Sequence, residues 1–166
     1  MISERRTISR LALGISSPMQ EVPGIVSTTR IEVTESALIE DPVRSHDMLH
    51  KLAGLGVTLA VDDFGTGYTS MAQLESMPLT TLKIDRSFVV RMGDDPAGAT
   101  LVKAMVDLAH EFGLEVVAEG VEDAAITDQL RALGCDIGQG YLWSRPVHGD
   151  DLPEVLFQLS FQRTRV

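Results

Sequence analysis

The chain has 166 residues, with 14 basic side chains against 24 acidic ones, a formal net charge of -10 and 44% hydrophobic content. That length fits one domain with a real core. The acidity excludes a module that holds polymeric nucleic acid along a basic stripe, and a lone cysteine, Cys135, excludes a disulfide-stapled mini-protein.

Residues 1–29 show no strand or helix pattern, being broken by Gly14, Pro18, Pro23 and Gly24, and disorder is one reading of them. No targeting segment is expected in them, and no run in the chain approaches the ~18 apolar residues that span a bilayer, so a cytoplasmic protein without a membrane segment is expected. From residue 30 to 166 the pattern alternates strand and helix. A strand is expected over Ile31–Thr34, then a helix over Pro42–Ala53, whose start is marked by Asp41 before a proline. A strand over Val57–Asp62, a short helix over Ser70–Ser76 and a strand over Thr81–Asp85 follow. Next come a helix over Pro96–Phe112, again entered through an Asp-Pro pair, and a strand over Glu115–Glu119. The reading closes with a helix over Glu122–Leu133, a strand over Gly138–Trp143 and a last helix from about Leu152. In that helix Leu152, Val155, Leu156 and Leu159 share a face suited to docking on a core. Gly56, Gly113 and Gly134 each stand where a helix should end in a left-handed residue. Five βα units predict an α/β fold of mainly parallel strands, either an open doubly wound sheet or part of a (β/α)8 barrel, since a whole barrel takes ~250 residues.

The chemistry gathers where these strands end. Asp62 and Asp63 precede a turn containing Gly65 and Gly67, and paired carboxylates there can serve two divalent ions in phosphoryl chemistry, although Asp also simply caps strand ends. An acidic chain that binds a phosphate-bearing ligand needs such metals to offset the charge. Glu32 lies within the first strand with Glu35 just past it. Alternation puts Lys83 beside Asp85, so a structural ion pair with Asp85 or another carboxylate is the competing reading. Glu119 ends the fourth strand, Glu122 reads as an acid at a helix start, and Gln139 opens the segment GQGYLWSRP. Glu32, Asp62, Asp63, Lys83 and Glu119 on successive parallel strands converge on one mouth, a set suited to metal-assisted hydrolysis. The four histidines fall outside it, His46 and His50 reading as a solvated helix face.

IEVTES at 31–36, DDFGTGYTS at 62–70, KIDRSF at 83–88, AEGVE at 118–122 and QGYLWSRP at 139–146 resemble, in order, motifs of the EAL-type phosphodiesterases that hydrolyse cyclic-di-GMP. Thr69 and Trp143 are mild departures from the family's usual Ser and Phe. The resemblance implies a (β/α)8-like barrel with one antiparallel strand, two Mg2+ or Mn2+ ions, and hydrolysis of one phosphodiester to give linear pGpG. Glu32, Asp62 and Asp63 would be metal ligands, and Lys83 would orient the attacking water or help deprotonate it. Glu119 would support the metal-water site, Gln139 would contact that site or the substrate, and Glu35 would hold the loop after Asp63.

The chain has no Glu-Ala-Leu and no Asn, so two further metal ligands of that family and its first strands are not seen. The expectation is therefore the C-terminal part of an EAL-like domain from a split, truncated or mis-started gene product. Such a part either works with a complementing N-terminal half or stands as an inactive remnant that binds cyclic-di-GMP or a protein, a homodimer through its open edge being one form of it. A different metal-dependent barrel hydrolase sharing the constellation is the third reading.

Overall fold

The computed structural model describes residues 30–67 and 70–161, with backbone alone at 156 and 158–161. The expectations for residues 1–29, for Thr69 and for the side chains of Leu156 and Leu159 lie outside that range. Five strands form one sheet: β1 (Arg30–Thr34), β2 (Thr58–Phe64), β3 (Thr81–Ile84), β4 (Glu115–Glu119) and β5 (Ile137–Gln139). They lie side by side in chain order, every pairing parallel. A doubly wound sheet reverses its strand order at a switch point. No reversal occurs here, and the described strands form an arc of barrel wall.

The helices are α1 (Glu35–Glu40), α2 (Pro42–Ala53), α3 (Met71–Ser76), α4 (Arg86–Asp94), α5 (Pro96–Glu111), α6 (Ala124–Ala132) and α7 (Leu152–Phe161). The Asp-Pro starts behave as expected: the Asp41 carboxylate accepts from Arg44 N–H and that of Asp95 from Ala97 N–H. Gly56, Gly113 and Gly134 all take positive φ in the turns after α2, α5 and α6. Two helices were not expected. α1 is a six-residue turn entered directly from β1, too short for periodicity to show, and capped by Thr34. α4 is masked in the sequence by its β-branched Val89-Val90 pair and its Gly93-Asp94 end, yet the Asp85 cap and burial of Val89 and Met92 hold it as a helix.

Three expected boundaries shift by two or more residues. β2 continues past Asp62 to Phe64, α6 starts at Ala124 under an Asp123 cap rather than at Glu122, and β5 stops at Gln139 instead of Trp143. The last change arises because Leu142 N–H turns back to donate to the Val121 carbonyl. In α7, Leu152 and Val155 are half-buried while Phe157 is exposed. No helix among the described residues is long and apolar enough to cross a membrane.

Alternation along each strand separates two chemistries. Leu59, Val61, Leu82, Ile84, Val116 and Ala118 point outward into a core shared with Leu38, Leu49, Val102, Val106 and Leu130 from the helices. The opposite, inner face carries Arg30 and Glu32, Asp62, Thr81 and Lys83, then Glu115 and Glu119. Arg30 on β1 reaches Glu115 on β4 at 3.4 Å. Three interstrand steps of about 4.8 Å separate those strands, so the sheet curls to bring them together. Cys135 is buried against the carbonyls of Val116 and Ile137, and burial pushes its thiol up to about 11, out of the reactive range.

Candidate functional site

Lys83 stands at the centre of the inner face, 1% exposed, its ammonium 2.6 Å from Glu119 Oε1, 2.9 Å from Asp62 Oδ1 and 2.9 Å from Glu32 Oε1. Those carboxylates come from β4, β2 and β1, so one side chain ties the arc together. Burial presses Lys83 toward its neutral form, but the hydrogen bonds and charges of Glu119 and then Asp62 outweigh it and hold the ammonium above its ordinary pKa. Asp85 is not among its partners: it caps α4 by accepting from Ser87 N–H. Glu32 is paired with Lys83 rather than merely solvated.

Neighbouring residues of a regular strand point to opposite faces, yet Asp62 and Asp63 act on the same side. A bulge makes this possible. Val61 pairs with Leu82 and Phe64 with Ile84, leaving Asp62 and Asp63 together opposite the single residue Lys83. Asp63 adopts φ 56°, the only positive φ at a non-glycine among the described residues. As a result Asp62, Asp63 and Glu119 each offer a carboxylate oxygen within 4.8 Å of the others. Hard oxygen donors alone are the set that Mg2+ or Mn2+ takes in preference to softer metals, so these residues fit such an ion.

Glu35 opens α1 and is 2% exposed. Its Oε2 accepts from the N–H groups of Gly65 and Gly67, both at 2.9 Å, and so anchors the loop that leaves Asp63. A Cβ at residue 67 would sit 2.9 Å from the Glu35 carboxyl carbon, so only glycine lets the backbone come this close. Gln139 ends β5 beside Glu119 in register. Its carbonyl accepts from Val121 N–H, which binds the segment after β4 to the segment after β5.

The structure thus brings together Glu32, Asp62, Asp63, Lys83 and Glu119, sets Glu35 behind the adjoining loop and Gln139 at the rim. None of the four histidines lies among the carboxylates; His50 meets the Ser76 carbonyl and His110 meets Asp136. Sequence reasoning missed the ion pair of Arg86 with Glu122, 3.0 Å apart, because the two lie on different βα units and Glu122 looked like a helix-start acid. It also missed the bulge, whose one signal is an Asp, a residue tolerant of left-handed backbone, directly before Phe64-Gly65.

The family profile of the EAL domain matches residues 22–146. The chain is 39% identical over 137 residues to the cyclic di-GMP phosphodiesterase RocR of Pseudomonas aeruginosa, covering 82% of this chain and 35% of that one. It is 46% identical over 128 residues to an uncharacterized protein of Azorhizobium caulinodans, covering 75% of this chain and 17% of that protein. Among solved structures, the P. aeruginosa MucR phosphodiesterase in complex with c-di-GMP superposes with a TM-score of 0.72 at 41% identity, over 74% of this chain and 50% of that one. The chain therefore spans half or less of each of these relatives.

Proposed function

Because the chain belongs to the EAL domain family, we propose that it furnishes the carboxyl-terminal side of a metal-dependent phosphodiesterase site that hydrolyses cyclic-di-GMP to linear pGpG. The observation that carries this reading is the Lys83 ammonium held by Glu32, Asp62 and Glu119 next to the bulge that turns Asp63 to the same side. Asp62, Asp63 and Glu32 would hold divalent metal, with Glu119 supporting the site. Bound Mg2+ or Mn2+ supplies Lewis-acid neutralisation of the phosphate and a lowered pKa for an attacking water. The chain's own residues do the positioning. Lys83, held as an ammonium, would orient that water and by its charge favour the water's loss of a proton, Glu35 would keep the loop of residues 64–67 closed against the site, and Gln139 would contact the site or the substrate from β5. Coverage of half of the MucR chain supports a role for a complementing amino-terminal half of the barrel, which would add the remaining ligands.

Chromatographic turnover of cyclic-di-GMP with Mg2+ and then Mn2+, by the chain alone and with an amino-terminal EAL half supplied, tests the proposal. Conversion to pGpG that is lost in Asp63→Asn and in Lys83→Ala is the expected result. Turnover undiminished by either substitution would refute the site. Saturable binding without conversion in both settings would leave a recognition module in place of an enzyme.

A further inference from the structure

Glu119 sits at the end of β4, immediately before Gly120, which takes φ 69°. Backbone at such a glycine is free to move unless something walls it in. The wall is Arg86, the first residue of α4, three residues after Lys83. A Cβ at residue 120 would collide with Arg86 Cγ and lie 2.7 Å from its Cδ and 2.8 Å from its Cβ. Cβ is fixed by a backbone that the Asp85 cap holds, while Cγ and Cδ can leave only by a change of side-chain rotamer. Beyond them the guanidinium meets Glu122 Oε1 at 3.0 Å. Arg86 therefore spans the turn of residues 119–122 from its glycine to its last acid, while buried Val121 is tied on the other side to Gln139 and Leu142.

We propose that Arg86 is a positioning residue for Glu119: its aliphatic stem covers Gly120 and so fixes the turn that presents Glu119 to Lys83 and to the metal site, with the Glu122 pair a lesser tie. The metal-site half of this inference rests on the phosphodiesterase reading; the Glu119–Lys83 half does not. The Arg86–Glu122 pair is about half exposed on both sides, so its ionic part contributes little and the stem carries the effect. A lysine keeps the stem and an alanine does not.

Two readouts on the full chain test this without turnover: solvent exchange of the Lys83 ammonium protons followed by NMR in the absence of metal, and the Mn2+ dissociation constant. Arg86→Ala is expected to speed the exchange and weaken Mn2+ binding by about tenfold, the scale seen when support behind a metal ligand is removed. Arg86→Lys should stay close to the parent in both. Gly120→Ala should be damaging in both backgrounds, because φ 69° strains any side chain and the Cβ that alanine keeps at residue 86 stays 2.8 Å away, but less so in Arg86→Ala, where the contacts with Cγ and Cδ are gone. The proposal is overturned if Arg86→Ala, with its backbone spectrum intact, changes neither readout, if lysine fails to rescue, or if the two substitutions simply add. Should the parent bind no Mn2+ and turn over no substrate even with the amino-terminal half supplied, while Arg86→Ala still speeds Lys83 exchange, the phosphodiesterase reading falls and the positioning role stands.

Discussion

The inner face of the sheet carries an ion cluster at each end, built across the same strands from the same kinds of side chain. At the carboxyl end, Lys83 and Glu119 are almost wholly buried; at the amino end, Arg30 and Glu115 have side chains 33% and 45% exposed. Chemistry alone would rank the two alike. Burial separates them, because a charge removed from water depends on its partners, whereas a charge in water has the solvent to fall back on. The carboxyl end is therefore a committed arrangement and the amino end an optional one. The amino end has a further carboxylate, Asp136, whose task is to serve backbone: it accepts from Val116 N–H at 2.8 Å and faces His110 Nε2 at 2.9 Å.

The sharpest way to break the contrast is Lys83→Ala. Leaving Glu32, Asp62 and Glu119 without their shared cation should cost about 3–5 kcal/mol of stability at neutral pH, read from urea unfolding. A loss as small as that of a surface pair would erase the distinction between the two ends. Gly140→Ala comes next. A side chain there would collide with the Val121 backbone and sit 2.7 Å from its carbonyl carbon, so the ties between the ends of β4 and β5 would have to part. The expected cost is about 1–3 kcal/mol of overpacking, accompanied by movement of the Glu119 and Gln139 backbone amide signals in NMR spectra.

At the amino end the effects should be smaller and dependent on pH. Partial burial works against the Asp136 carboxylate, but the hydrogen bonds from His110 and Val116 prevail and hold its pKa below the ordinary value. A depressed folded pKa gives stability that is present above the unfolded value and is lost as pH falls through the folded one. Unfolding midpoints of the parent should therefore fall on acidification below about pH 4, and Asp136→Asn should flatten that dependence. An unchanged slope would show that Asp136 contributes nothing through its charge. Arg30→Ala should do least, about 0–1 kcal/mol and less at high salt; a larger loss would mean that the curl of the sheet depends on this pair.

Most of the barrel arc was legible in the sequence because its punctuation is local. Asp41 and Asp95 before prolines, and Gly56, Gly113 and Gly134 after helices, act within a few residues and need no tertiary context. α1 and α4 escaped because one is a six-residue turn and the other sets strand-like residues in a helix held by its cap and by Met92 in the core. The candidate site was visible as a series of motifs, each recognisable alone. Its geometry was not, since the convergence of three carboxylates on Lys83 depends on register across β1, β2 and β4, and the Arg86–Glu122 pair depends on which turns the packing brings side by side.

Asp63 occupies a backbone conformation that glycine would adopt at no steric cost and that most other residues resist by roughly 1–2 kcal/mol. Asp is among the few residues that tolerate it, so the carboxylate is held at the bend at less cost than most side chains would incur. The same geometry dictates how variants of this residue are to be compared: asparagine keeps the shape and the tolerance of left-handed backbone while losing the charge, glycine relaxes the backbone as well, and alanine adds a conformational penalty that would masquerade as lost chemistry.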